Sequence, residues 1–81
     1  MQQTINNLAE RTARRLAFKL RAEGVLIRPN RWTGGAEVIG PGWEQSARLA
    51  AWLRTQGWRC YAGSDGLRDR FHVLPHEIDL G

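Results

Sequence analysis

Ala13–Gly24 reads ARRLAFKLRAEG, and Ser46–Gly57 reads SARLAAWLRTQG. Laid over one another at an offset of 33, the two stretches coincide at Arg15/Arg48, Leu16/Leu49, Ala17/Ala50, Leu20/Leu53, Arg21/Arg54 and Gly24/Gly57. The segments that follow them also match. Val25-Leu26-Ile27 and Trp58-Arg59-Cys60 both read as strands, and Ala36-Glu37-Val38-Ile39 aligns with Phe71-His72-Val73-Leu74 once the second loop is two residues longer. Each half is then a helix followed by a hairpin, and a repeated supersecondary unit sets the architecture before any single residue is interpreted. Two units are too few for a solenoid, so they must pack on each other. The expectation is an α+β fold made of a duplicated α-β-β unit, in the order α-β-β-α-β-β, with a pseudo-twofold axis relating the halves. Its four-stranded antiparallel sheet carries two helices on one face. Residues 1–81 form a single domain, divided into a first unit at 4–40, a second at 42–75 and a fraying C-terminal tail at 76–81.

The periodicities agree with this layout. Thr4 is the expected N-cap of a helix running from Ile5 to Gly24, which suits the left-handed position after a helix end. At about 100° per residue Ile5, Ala9, Leu16 and Leu20 share one side with Thr12 and Ala13. The opposite side holds Arg11, Arg14, Arg15, Lys19 and Arg21, with Phe18 among them. Glu10 stands one turn before Arg14 and is its expected helical ion-pair partner. A first strand over Val25–Arg28 is expected to stop at Pro29-Asn30 and to pair with Ala36–Ile39. Residues 31–35 fit either a loop or a bulged extension. After the breaker Gly40-Pro41-Gly42, a second helix over Trp43–Gln56 turns Trp43, Ser46, Leu49, Ala50 and Leu53 inward, with Trp52 at the side. A second hairpin pairs Trp58–Ala62 with Arg68–Leu74 around a reversal at Asp65-Gly66.

Period-two alternation sorts the strands between the two sheet faces. Val25, Ile27, Ala36, Val38, Trp58, Cys60, Phe71 and Val73 face the helices. Leu26, Arg28, Glu37, Ile39, Arg59, Tyr61, Arg70, His72 and Leu74 face away. On that outer side Arg28, Arg59 and Arg70 could pair with phosphates while a base stacks on Tyr61. Alternatively Leu26, Ile39 and Leu74 could form the centre of a homodimer surface with the arginines as its rim.

Twelve basic residues against eight acidic give a net charge of +4, and all the cations but Lys19 are arginine. The planar guanidinium suits phosphate and carboxylate, so the bias favours an anionic partner, nucleic acid or an acidic protein surface. The basic helix face with Arg11, Arg14, Arg15, Phe18 and Lys19 is the second candidate surface, since an exposed ring among arginines is typical of an interface anchor. A single Cys60 forms no intrachain disulfide and fits a reducing cytoplasm. No apolar run reaches the length of a membrane span, and Met1–Asn7 lacks the pattern of an export signal.

No catalytic motif emerges. His72 and His76 with Glu77 sit on a strand and in a tail, so neither a metal site nor a cofactor site is expected. Asp65 and Asp69 near His72 are explained by turn chemistry, and Gly40-Pro41-Gly42 is too short for a phosphate loop. The expected function is non-enzymatic binding of nucleic acid, or of a nucleic-acid-bound complex, through arginine. In size and composition the chain is similar to small phage-borne or mobile-element inhibitors. That likeness implies the alternative, a regulator that docks on a host protein partner, using Phe18 or the apolar part of the outer sheet.

Overall fold

Helix α1 runs from Gln2 to Lys19 in the computed structural model, which describes residues 2–21, 23–40, 42–62 and 69–80. Thr4 lies inside this helix and does not cap it. No glycine or proline separates Gln2 from Thr4, so nothing interrupts helical backbone before the capping residue is reached. The other end is shorter than the sequence pattern suggests. Beyond Lys19, Leu20 N–H still bonds to Leu16 O at 2.8 Å, and then Glu23 N–H bonds to Leu20 O at 3.0 Å. That tighter turn closes the helix, and Gly24 follows with φ +68°.

The remaining elements are β1 (Leu26–Asn30), β2 (Gly35–Ile39), α2 (Trp43–Thr55), β3 (Cys60–Tyr61), β4 (Arg70–Val73) and a one-turn α3 (Glu77–Leu80). Pro29 does not end β1, which continues through Asn30. As the outer strand of the sheet, β1 has one edge without a partner, and there a missing N–H removes no ladder bond. The second hairpin is shorter than expected, and its Asp65-Gly66 reversal falls outside the described residues. Helix α2 ends as α1 does. Gln56 N–H bonds to Leu53 O at 2.9 Å, and Gly57 takes φ +91°.

All pairings are antiparallel, in the order β1-β2-β4-β3. Within the first hairpin Ile27 faces Val38 and Arg28 faces Glu37. Within the second, Cys60 faces Val73 and Tyr61 faces His72. Between the hairpins Ala36 faces Val73, Val38 faces Phe71, and Glu37 faces His72.

Helix α1 packs over β1 and β2, and α2 over β3 and β4. Leu16 and Leu20 meet Leu49 and Leu53 above Ala36, Val38, Phe71 and Val73, all in one buried cluster, so both helices cover the same sheet face. Trp43, expected inward, is exposed. Side chains lean toward a helix's N-terminus, so the first residue of α2 projects off the helix end and past the core. Ala17 is exposed while Ala50, aligned with it, is buried, so the two helices do not cover the core alike at this position. The tail is folded rather than frayed from its first residue. His76 packs edge-on against buried Trp58 with ring centroids 4.7 Å apart, and Ile78 N–H bonds to His76 Nδ1 as α3 begins.

One polar group is sealed into this layer. The hydroxyl of fully buried Thr12 lies 2.9 Å from Leu8 O and 3.0 Å from Gly34 O, so its single proton is shared between its own helix and the β1–β2 turn. Thr12→Val keeps the shape but leaves Gly34 O without this donor. A loss of about 1–3 kcal/mol is expected in urea unfolding, with Thr12→Ser retaining most of the stability.

Candidate nucleic-acid interface

Across the outer sheet face the strand register places Arg28, Glu37, His72 and Tyr61 in one row, in that order. Glu37 is the centre of this row. One carboxylate oxygen lies 3.1 Å from Arg28 Nη2 and the other 3.5 Å from Arg70 Nη1. Arg70 also reaches Asp69 through Nε at 3.5 Å. The Glu37 side chain is only 17% exposed, which strengthens its hold on both arginines relative to a pair in open solvent. Two of the three arginines expected to meet phosphate from this face are thus already turned to carboxylates. Tyr61 stacks on His72, with centroids 5.3 Å apart and an interplanar angle of 28°, so one face of its ring is covered. Arg59 remains exposed on this side. Leu26 and Ile39 face each other across β1 and β2, whereas Leu74 lies beyond the Arg28–Tyr61 row, where its N–H bonds to Arg59 O. The three apolar residues are therefore split by a charged row.

The helix layer has a different charge balance. Arg11, Arg14, Arg15, Phe18 and Lys19 are all exposed on α1, and Phe18 is 73% exposed. Glu10 does not neutralise Arg14. It pairs instead with Arg31 in the β1–β2 turn at 3.3 Å, so Arg11 and Arg14 have no ion-pair partner among the described residues. The turn residue lies closer to Glu10 than its helical neighbour does, and an exposed helix pair is worth too little to compete. The Arg21 guanidinium sits 5.0 Å over the Phe18 ring, a cation–π contact that helps hold the ring at the surface.

Helix α2 contributes residues to this surface that sequence reasoning left out. Arg48 is exposed, and Trp52, 42% exposed, receives Lys19 Nζ over its ring at 5.6 Å. Two clefts of about 340 and 330 Å³ adjoin Lys19. Arg15, Phe18, Gln56 and His76 line one of them, and Glu23, Arg48 and Trp52 line the other, with Lys19 common to both. The signal for Arg48 and Trp52 was present in the alignment, where they stand opposite Arg15 and Lys19.

Elsewhere the chemistry is quiet. The half-buried Cys60 thiol is pushed up to about 11, chiefly by burial and partly countered by Arg54, so almost none of it is thiolate at neutral pH. Among the described residues no group of three His, Cys, Asp or Glu side chains is placed to hold a metal ion. No described helix is long and apolar enough to cross a membrane. Trp32 stands 91% exposed at the tip of the β1–β2 turn. Its backbone N–H bonds to Asn30 Oδ1 at 3.0 Å, and Gly34 N–H bonds to Asn30 O at 3.0 Å. No family model matches the chain, and neither a curated protein nor a solved structure matches it.

Proposed function

We propose that this chain is a small non-enzymatic protein that binds nucleic acid, or a complex containing it, through the surface formed by α1 and α2. The supporting observation is the grouping of Arg11, Arg14, Arg15, Lys19 and Arg48 around the exposed rings of Phe18 and Trp52. By contrast, the outer-sheet arginines Arg28 and Arg70 are engaged by Glu37. Cations interleaved with aromatic rings suit a phosphate backbone and the bases beside it. A cytoplasmic setting is consistent with the lone, protonated Cys60 thiol.

The duplication of the α-β-β unit is part of the same proposal. It draws support from strand register, which the sequence alignment did not use. Alignment pairs Ile27 with Cys60, Arg28 with Tyr61, Glu37 with His72 and Val38 with Val73; the contacts Ile27–Val38 and Arg28–Glu37 then correspond to Cys60–Val73 and Tyr61–His72. Glu37 and His72 face each other, as counterparts on a twofold axis must. Lys19 and Trp52, also counterparts, touch on the helix side.

Titration against mixed-sequence DNA and RNA at two salt concentrations tests the binding proposal. Arg11→Ala and Arg14→Ala are each expected to weaken binding alike across sequences and to lower the salt slope by about one, with thermal stability unchanged. Absence of binding at low salt would refute it.

Trp32 favours a second reading, docking on a protein partner. A hydrogen-bonded turn presenting a nearly bare indole is suited to an apolar pocket on a partner. On that reading Trp32→Ala abolishes partner binding, while Arg11→Ala affects only its rate of association.

A further inference from the structure

Resting on the nucleic-acid proposal, we infer that the ligand is a duplex, held with one strand against Arg15 and the other against Arg48, without regard to base sequence. The inference comes from where the cations stand relative to the axis between the halves. Lys19 Nζ stands 5.6 Å from the centre of the Trp52 ring, and Lys19 lines both clefts. Arg15 lines one cleft and Arg48 the other. They are counterparts in the alignment of ARRLAFKLRAEG with SARLAAWLRTQG. Under the twofold relation of the halves proposed above, these two arginines stand on opposite sides of the axis and point in opposed directions.

A duplex has matching symmetry. Its antiparallel backbones are related by a local dyad perpendicular to the helix axis, so a phosphate on one strand has an equivalent on the other, presented in the opposite direction. Twofold proteins exploit this match when they dock on paired half-sites. A single strand runs in one direction only, so it would offer the two arginines unlike geometries. The duplex also carries the denser charge, one phosphate per about 1.7 Å of axis, for a surface whose cationic side chains outnumber its carboxylates. Glu23 is the only carboxylate lining either cleft among the described residues. Long, solvated arginines at the rims contact phosphate rather than base edges, and phosphate contacts carry no direct sequence information.

The test uses the full chain with four probes: a DNA duplex and an RNA duplex of mixed sequence, and one strand of each alone. Fluorescence anisotropy at two salt concentrations reads the binding of wild type, Arg15→Ala and Arg48→Ala. Circular dichroism confirms that the variants fold, as exposed side chains should allow. The expected result is binding to at least one duplex roughly tenfold tighter than to its single strand, unchanged when the duplex sequence is scrambled. Arg15→Ala and Arg48→Ala should weaken it by similar factors, each lowering the salt slope by about one. Preference for only one of the two duplexes supports the inference and identifies the source. Single strands bound as tightly as duplexes, or an effect of Arg15→Ala with none of Arg48→Ala, would overturn the duplex inference and leave nucleic-acid binding intact. No binding of any probe at low salt would remove both.

Discussion

Leu53→Ala and Leu20→Ala are each expected to cost about 2–5 kcal/mol, and by similar amounts. Leu20 directly follows α1 and Leu53 lies in the last turn of α2, both fully or almost fully buried against the inner face of the sheet. Truncation removes the transfer free energy of the deleted carbons and leaves a cavity that the surrounding backbone closes only in part. A domain of this size has a total stability of about 5–15 kcal/mol, so either change brings the protein close to unfolding at 25 °C. Urea denaturation followed by tryptophan fluorescence and by far-ultraviolet circular dichroism should show a lower midpoint with an unchanged slope. The two positions are counterparts in the alignment of the halves, and the turn that closes each helix runs through the carbonyl of this very residue, by Glu23 N–H to Leu20 O and Gln56 N–H to Leu53 O. If one leucine proved nearly dispensable and the other essential, the halves would not be equivalent and the duplication would lose its energetic support.

What the sequence made legible was local periodicity. Leu16, Leu20, Leu49 and Leu53 could be placed inward because a 3.6-residue stripe leaves them no other face, and Val38, Phe71 and Val73 because strand side chains alternate. The exposed basic face of α1, with Phe18 in its midst, followed from the same arithmetic. What depended on the order of strands was hidden. Glu37 engages Arg70 only because β2 lies beside β4, with Ile39 facing Arg70 and Glu37 diagonal to it, and no local pattern announces which hairpin edges will meet. The outer sheet therefore looked like an open arginine platform when read strand by strand. The folded protein pairs two of its cations with one carboxylate. Glu10 is a similar case, since its partner Arg31 arrives from the hairpin turn and not from the next turn of its own helix. Edge position likewise decided β1, where Pro29 could stay in the strand because no neighbour asks for its N–H. Trp52 was placed at the side of its helix by the same periodicity, but its contact with Lys19 depends on how the two helices meet.

Gly35→Ala is expected to be more damaging than any other glycine-to-alanine change among the described residues, although nothing in the sequence distinguishes Gly35 from its neighbour Gly34. A Cβ on Gly35 would overlap the carbonyl oxygen of Val73 and come within 3.0 Å of Val73 C and 3.1 Å of Leu74 Cα. Every one of these atoms is backbone, so no side chain can swing aside. Either β4 moves away from β2 or the end of β2 twists out of the sheet, and β2–β4 is the pairing that joins the two hairpins. Gly34 differs, because its Cβ would meet chiefly the movable Leu8 side chain, with the cost set by its φ of +79°. At Gly24 the space is open and only φ of +68° opposes a side chain, a penalty of about 1–2 kcal/mol. Overpacking against fixed backbone belongs at or above the top of the usual range, roughly 3 kcal/mol or more. Urea unfolding of Gly24→Ala, Gly34→Ala and Gly35→Ala side by side gives the comparison. Hydrogen exchange adds the location, since loosening of β2 from β4 should raise exchange at Phe71 and Val73 ahead of the amides of α1. If Gly35→Ala were as mild as Gly24→Ala, the close approach of β2 to Val73 would not exist in solution, and the central pairing on which the relation between the halves depends would have to be redrawn.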